Sequence, residues 1–347
     1  MMNLPKIFLL CVLLAAISVS GCKKKKTPVG NVPVPTIPDK IDLLPSVINV
    51  KYHEGTSGVE SCKTCHSQIH NEWSQSFHSR ATTSKLFKKM SDDYNFEGCV
   101  SCHAPHKPTF TDERPKARTW KVHEGVTCSS CHVVGNRTVG SLGSNAPHKV
   151  HKDMRIVDSV ACASCHQETH KQWEKSKYKE QGISCQSCHM PLVKRYISDL
   201  PKNLYTKKDS RKHTFEIDFT EVVKMELSQS RLIDDQITLK VTNIGAGHAL
   251  PTGHYGDTSV FLEFQVLDGD KVIYFREEQL SALKENQIMP GQTRSFFYRF
   301  KAPAKKSYLM VAKAIFNSSN YAEDIKLAQV EQYFYPKKEE RKLLLTN

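Results

Sequence analysis

The sequence lacks an apolar run long enough to span a membrane, and it has almost no cysteine outside one repeated pattern. Its main apolar stretch, Ile7–Val19, is shorter than the roughly 20 residues that a transmembrane helix needs. Ten of its twelve cysteines stand in five C-x-x-C pairs, and the other two are Cys11 and Cys22. The first shortage excludes a membrane-spanning helix for the apolar stretch. The second assigns nearly all the cysteines to one kind of chemistry.

The ten paired cysteines belong to five copies of one motif, in which a histidine directly follows the second cysteine. The cysteine pairs are Cys62 and Cys65, Cys99 and Cys102, Cys128 and Cys131, Cys162 and Cys165, and Cys185 and Cys188. The histidines that follow them are His66, His103, His132, His166 and His189. C-x-x-C-H is the attachment signature of a c-type haem, whose iron takes the adjacent imidazole as an axial ligand. The sequence therefore predicts five covalently bound haem c groups with these histidines as proximal ligands.

Other interpretations of the cysteines fit the pattern less well. A zinc ribbon pairs two C-x-x-C knuckles and does not require a histidine after each. A thioredoxin-like site uses one such pair in a βαβ context. Structural disulfides would not impose one spacing with a histidine behind it. Because haem c is attached outside the cytoplasm, we expect the mature chain to be exported.

The first 50 residues have the features of a targeting segment and a tether. Lys6 and the apolar stretch resemble a signal peptide, and Val19-Ser20-Gly21-Cys22 resembles a bacterial lipobox. We expect residues 1–21 to be a lipoprotein signal peptide and Cys22 to carry the lipid; the alternative is an ordinary secretory signal with an incidental cysteine. Lys23, by resemblance to Gram-negative lipoproteins, favours the outer membrane. Residues 22–50, rich in lysine and proline, are expected to form an extended tether.

An internal repeat organises the segment that carries the motifs, residues 51–213. The pattern from Cys62 through His66 and Trp73 to His78 recurs 100 residues later, with Tyr178 in place of His78. The spacing from the proximal histidine to Trp73 is two helical turns, which predicts a short helix after the motif. The second and fifth motifs both continue into Cys-His-x-Pro, so each repeat copy is predicted to be followed by one of them. A segment of this length with five porphyrins is expected to be mostly helical turns and loops around the haems.

The remaining residues, 214–347, change to short β-branched and aromatic runs with turn signals such as Asp268-Gly269 between them. The predicted strands are Phe215–Phe219, Gln236–Thr242, Val260–Leu267, Val272–Phe275, Arg294–Phe300, Tyr308–Phe316 and Val330–Tyr335. About seven short strands without a helical period favour an antiparallel sandwich, immunoglobulin-like in general form. The predicted fold class is therefore α+β, a mostly helical and loop-rich pentahaem domain followed by a β-sandwich domain.

Two stretches of the haem segment resemble the cytochrome c-554 family. They are Cys-His-x6-Trp-x4-His-x2-Ala, which ends at Ala81, and Gly125-Val126-x-Cys128-x-x-Cys131-His132. The resemblance implies a periplasmic multihaem electron carrier with haem packing related to that of hydroxylamine oxidoreductase. The loop Gly247-His248-Ala249-Leu250-Pro251 is similar to one that related multihaem cytochromes carry on a C-terminal β-domain. The chain departs from the family in having five haem motifs rather than four, a Tyr at 178 and an added sandwich.

Eleven of the 16 histidines lie outside the motifs, so two histidine ligands for every haem are possible. In part from the resemblance, the preferred distal ligands are His78, His123, His213 and His248, with either His148 or His151 as the fifth. His53, His106 and His254 are less favoured. His70 and His170 follow a proximal histidine by one helical turn and cannot reach the opposite face of the same haem. We expect them to contact a haem propionate or a ligand instead.

These features predict a membrane-anchored electron carrier that exchanges electrons with redox partner proteins. The alternative is a reductase or oxidase of a small nitrogen or sulfur oxyanion at one haem without a distal ligand, motivated by the difference between His78 and Tyr178. Against it, no motif carries the lysine used at the catalytic haem of pentahaem nitrite reductases. The formal charge of +13 falls to about +8 with five ferric haems, which could steer acidic partners. Nothing in the sequence suggests nucleic acid.

Overall fold

The computed structural model describes residues 58–145, 148–199, 206–230, 236–253, 258–301, 303 and 307–336. The predicted signal peptide, the lipidation site Cys22 and the tether lie outside these residues, as do His53 and His254. Within them, short helices and loops come first and two antiparallel sheets follow, so the fold class is α+β as predicted.

The haem segment is built from helices of four to eight residues. They are α1 (Val59–Lys63), α2 (Ser67–Ser74), α3 (Lys85–Met90), α4 (Glu97–His103), α5 (Cys128–His132), α6 (Val160–Ala163), α7 (Gln167–Glu174), α8 (Lys177–Glu180) and α9 (Cys185–His189). Two 3₁₀ turns, Val122–Glu124 and Met154–Val157, lie between them. Local side chains fix the starts of some helices. Ser84 accepts the Phe87 N–H at 3.0 Å, and Thr127 and Ser130 form a capping box before α5.

Helices α2 and α7 confirm the prediction of a short helix after the first and fourth motifs. Each ends beside a buried tryptophan whose indole N–H donates to a backbone carbonyl: Trp73 to Val126 at 2.7 Å, and Trp173 to Ile183 at 2.9 Å. A buried indole nitrogen needs such a partner. The two tryptophans therefore tie each helix to a later part of the chain.

Five short strands accompany these helices. They are β1 (Val133–Val134), β2 (Arg137–Gly140), β3 (His151–Lys152), β4 (Leu192–Arg195) and β5 (Lys208–Arg211). Strands β1 and β2 pair antiparallel, β3 adds to β2 in parallel, and β4 pairs antiparallel with β5. The sequence analysis did not predict them, since each is too short to show a period-two pattern.

The C-terminal part is a sandwich of two antiparallel sheets around one apolar core. Its strands are β6 (Val223–Gln229), β7 (Gln236–Asn243), β8 (Thr258–Asp268), β9 (Lys271–Ser281), β10 (Thr293–Arg299), β11 (Tyr308–Ser318) and β12 (Ile325–Phe334). One sheet has the order β10-β7-β6 and the other β12-β11-β8-β9. Alternate side chains point inward, as in β6, where Val223, Met225 and Leu227 are buried.

Six of the seven predicted strands are confirmed, but Phe215–Phe219 is not a strand. That segment alternates apolar and polar residues, yet it pairs with no neighbour in the described part of the chain. Strand β6 was missed because Met225, Glu226 and Leu227 favour helices. The predicted domain limit between 213 and 214 stays a prediction; the first sandwich strand begins at Val223. Among the described helices, none has the length and apolarity needed to cross a membrane.

Candidate haem-binding site

Every C-x-x-C-H motif lies on or at the end of a short helical turn, in α1, α4, α5, α6 or α9. In a helix, residues three apart lie on the same face, so both thiols of a motif point to one side. Where the chain continues as a helix, as in α4, α5 and α9, the motif histidine is its last residue. This arrangement presents two thiols and one imidazole together, as attachment of haem c requires.

Four motif histidines have Nδ1 within hydrogen-bond distance of a backbone carbonyl. The pairs are His66 with Ile197 at 2.6 Å, His103 with Ala81 at 2.7 Å, His132 with Val139 at 2.9 Å, and His189 with Glu216 at 2.9 Å. A carbonyl only accepts, so Nδ1 must be the protonated nitrogen. The neutral ring then keeps its lone pair on Nε2, which is the atom that an iron would take.

Four of the five motif histidines face a second histidine ring at nearly the same distance. The ring centres are 6.2 Å apart for His66 and His148, for His78 and His166, and for His132 and His213, and 6.3 Å apart for His189 and His248. A histidine nitrogen lies about 2 Å from its metal, so two imidazoles on opposite sides of one iron have centres about 6 Å apart. The four pairs therefore fit a haem iron between them.

The pairs select among the histidines considered in the sequence analysis. His78, His148, His213 and His248 all belong to pairs, and His148 rather than His151 faces His66. The described residues include no such pair for His123, which lies in the turn Val122–Glu124, or for His151, which lies on β3. The choice of these two as ligands stays a prediction that the geometry does not support.

Burial favours the neutral form of five of the eight paired histidines. Desolvation, aided by nearby histidines, lowers the pKa of His78 to about 3 and the pKa of His213 and His248 to about 4. For His132 and His166 desolvation also lowers the pKa. Only an unprotonated imidazole nitrogen can bind a metal, so the buried pairs stand ready in the required form.

The second motif differs from the others. No described histidine faces the His103 ring at the spacing of the four pairs. Phe87 of α3 instead stacks on one face of His103, with ring centres 4.4 Å apart. His106, the next histidine in the chain, packs against Trp120 at 4.9 Å.

Cysteines of different motifs lie close together, which places the five motifs in one cluster. The thiol of Cys62 is near that of Cys128, Cys102 is near Cys165, and Cys162 is near Cys185. These contacts join the first motif to the third, the second to the fourth and the fourth to the fifth. Cys131 of the third motif lies close enough to Cys162 to raise the pKa of the Cys162 thiol. This contact links the first and third motifs to the second, fourth and fifth.

The structure revises the internal repeat. The carbonyl of His78 accepts the Val126 N–H at 2.9 Å, and the carbonyl of Tyr178 accepts the Ile183 N–H at 2.9 Å. Val126 and Ile183 both follow a glycine with positive φ and stand two residues before the third and fifth motifs. The counterpart of the fifth motif is therefore the third. The second motif, which the Cys-His-x-Pro match had placed there, lies in a segment that only the first copy has.

A buried ion pair, which the sequence analysis missed, positions His213. The Glu72 carboxylate accepts the backbone N–H of His213 at 3.0 Å and lies 2.9 Å from the guanidinium of the buried Arg195. Glu72 is on α2 and Arg195 is on β4. The ion pair therefore joins the helix that follows the first motif to the segment that carries His213. No sequence pattern marks it, because the three residues are far apart in the chain.

His70 and His170 do not face motif histidines. Their side chains are 10% and 12% exposed, and their rings pack against Trp73 and Trp173 at 5.3 and 5.4 Å. Both nitrogens of His70 are buried without a hydrogen-bond partner. A contact of these residues with a haem propionate or an iron ligand stays a prediction.

Five attachment motifs in one cluster and four facing histidine pairs define the class: the chain is a multihaem c-type cytochrome, an electron-transfer haem protein with covalently bound haem c. Residues 61–133 match the family model "cytochrome c554 and c-prime". Within this class, residues 61–133 of the chain are therefore similar to that family.

Comparison with solved structures shows that the chain has a fold similar to that of a known multihaem cytochrome. A penta-heme cytochrome c552 from Thermochromatium tepidum matches with a TM-score of 0.58 and 15% identity, over 81% of this chain and 99% of that chain. A family 76 glycoside hydrolase from a bovine Bacteroides thetaiotaomicron strain matches with a TM-score of only 0.20 and 11% identity, over 33% of this chain and 20% of that chain. The second likeness carries no argument. No curated protein matches the sequence.

Proposed function

We propose that this protein transfers electrons in a periplasmic or outer-membrane respiratory chain and holds five haem c groups, most of them with two histidine ligands. The observation that carries the proposal is the set of four histidine pairs with ring centres 6.2–6.3 Å apart. An iron with two strong protein ligands has no free position for a substrate. Such sites suit electron transfer rather than chemistry on a bound molecule.

The protein contributes attachment, ligation and exclusion of water. Haem c, when bound, supplies a one-electron couple at its iron. The backbone carbonyls that accept from Nδ1 fix the orientation of the proximal rings and raise their basicity, which influences the potential. The half-buried distal rings occupy the positions opposite the proximal rings, so water cannot bind there. The short separation between cysteines of different motifs places the five attachment sites in one cluster.

Spectroscopy and mass measurement on the purified protein test this proposal. We expect the intact mass to exceed that of the chain by five haems, and the ferric EPR spectrum to show low-spin signals from at least four of them. A smaller number of haems, or high-spin signals from most of them, would contradict it.

A second candidate is reduction or oxidation of a small nitrogen or sulfur oxyanion at the second motif. It is favoured by the ring of His103, which faces no second histidine among the described residues. Titration with CO and cyanide separates the two functions. Binding at one haem per chain, with turnover of nitrite or sulfite, would support the enzyme, whereas inert spectra would leave only the carrier.

Membrane attachment and partners complete the proposal. Acylation of Cys22 would tether the haem domain to a membrane, and redox proteins on the same side would supply and accept the electrons. Replacement of Cys22 by alanine is expected to release the protein into the soluble extracellular or periplasmic fraction with its haems intact. Retention of the Cys22→Ala variant in the membrane fraction would exclude the lipid anchor.

A further inference from the structure

The sandwich supplies one of the paired histidines, and that histidine is on a loop. Residues 244–250 connect β7 to the rest of the sandwich and place His248 opposite His189 of the fifth motif. The proximal ring comes from the haem segment and the distal ring from the sandwich. The histidine pair at the fifth motif therefore exists only while the haem segment and the sandwich stay docked.

The sandwich itself holds one side of this loop. The buried amide of Asn243 donates to the carbonyls of His248 at 2.9 Å and Ile288 at 3.1 Å, and it accepts the Ala246 N–H at 3.1 Å. Gly245 packs so close to the backbone of Glu221 that a Cβ there would meet its carbonyl oxygen at 2.7 Å. These contacts fix the shape of the loop within the sandwich, but they do not fix its distance from the fifth motif.

Two residues of the haem segment hold the other side. The Tyr178 hydroxyl donates to the carbonyls of Ile244 and Gly245, at 3.0 and 3.1 Å. The Gln172 side-chain oxygen accepts the Ala249 N–H at 3.0 Å and the Thr252 hydroxyl at 3.1 Å. Both side chains are buried. They bind the loop just before and just after His248.

The internal repeat gives further support for the role of Tyr178 in binding this loop. In the first copy, the position equivalent to Tyr178 is His78, whose ring faces His166. In the second copy the imidazole is replaced by a phenol that bonds to the loop bearing His248. Thus His78 faces a motif histidine directly, whereas Tyr178 binds the loop whose His248 faces a motif histidine.

We propose that Tyr178 and Gln172 are positioning residues, which keep the loop 244–250 docked so that His248 remains on the iron at the fifth motif. The inference rests on the proposed function in one respect, that His189 and His248 ligate the same haem. It adds that sandwich docking sets the ligation state of that haem. Disturbing the docking contacts should open that one haem to external ligands.

The test uses the full-length holo-protein with single substitutions. Tyr178→Phe removes only the hydroxyl, and Gln172→Leu keeps the size of the side chain but removes its acceptor. We expect each variant to bind CO at one more haem per chain than the wild type does. The rate of CO binding at that haem should exceed the wild-type rate on the order of tenfold for each set of lost hydrogen bonds. Added imidazole should restore the low-spin spectrum, since it replaces the missing ligand.

One matched variant controls for general damage. Tyr298→Phe removes a buried hydroxyl that has no hydrogen-bond partner in the described structure and lies far along the chain in the sandwich core, so it should leave CO binding unchanged.

His248→Ala separates the failure of this proposal from the failure of the ligand assignment. If His248→Ala leaves all spectra unchanged, His248 is not a ligand and the assignment itself is wrong. If His248→Ala opens one haem while Tyr178→Phe and Gln172→Leu retain wild-type CO kinetics, the ligand assignment stands and the positioning role is overturned.

Discussion

For a single histidine, the partner of one ring nitrogen decides what the other can do. In four motifs a carbonyl occupies Nδ1 and leaves Nε2 for the iron. The proximal role of these residues could be predicted from the sequence, because the motif places the imidazole beside the two thiols. Candidates for the distal role could be named, in part from resemblance, but the motif that each one faces could not, because each facing histidine comes from a distant segment and no local spacing records the approach.

The choice between His148 and His151 shows this limit and gives a prediction. Both follow the third motif, and only His148 lies opposite His66, with ring centres 6.2 Å apart. We expect His148→Ala to convert one ferric haem to the high-spin form, because it removes the distal ring. His151→Ala is the matched control, and its spectrum should equal that of the wild type. Ferric EPR of the two variants checks this, and a high-spin signal in His151→Ala alone would reverse the assignment.

At the scale of secondary structure, alternation of apolar and polar residues predicted the sandwich well. It failed where the presence of a partner strand, rather than the pattern, decides whether a strand forms. Phe215–Phe219 alternates but has no partner strand in the described part of the chain. Strand β6 has a partner, but its residues favour helices. The helices after the first and fourth motifs were predicted from the spacing of histidine and tryptophan. The correspondence of the third and fifth motifs could not be, because it rests on backbone hydrogen bonds at Val126 and Ile183.

The two glycines of the repeat give a prediction at this scale. Gly125 and Gly182 have φ values of 66° and 67°, but only at Gly125 would a Cβ overlap a neighbouring backbone, the carbonyls of His78 and Ser79. Gly182→Ala should cost about 1–2 kcal/mol, the price of the left-handed conformation. Gly125→Ala should cost more and also displace His78, so one haem should gain high-spin character.

Chemical denaturation together with ferric EPR checks this pair of variants. Because Gly182→Ala carries the same conformational penalty, it controls for backbone strain without the overlap. Equal losses of stability in the two variants, with unchanged spectra in both, would show that the close approach at Gly125 does not position His78.

For the whole molecule, the cluster of five motifs and the sandwich form a single unit. The fourth motif contacts both the second and the fifth through its cysteines, and the third approaches it through Cys131. The sandwich completes the histidine pair at the fifth motif through His248. The sequence could predict two regions of different texture, and it offered His248 of the second region as a ligand, but it could not predict that His248 faces the motif histidine His189.

The charge of the whole molecule gives the last prediction. The formal charge is +13, or about +8 with five ferric haems, so the oxidised protein should attract anions. Screening lengths fall from about 30 Å at 0.01 M salt to about 8 Å at 0.15 M, which weakens this attraction. We therefore expect reduction by the dithionite-derived sulfur dioxide radical anion to slow several-fold as salt increases, and reduction by the methyl viologen radical cation to become faster. Stopped-flow absorbance of the Soret band measures both rates. The two reductants carry opposite unit charges, so equal salt responses would mean that the positive charge is not near the surface where electrons enter.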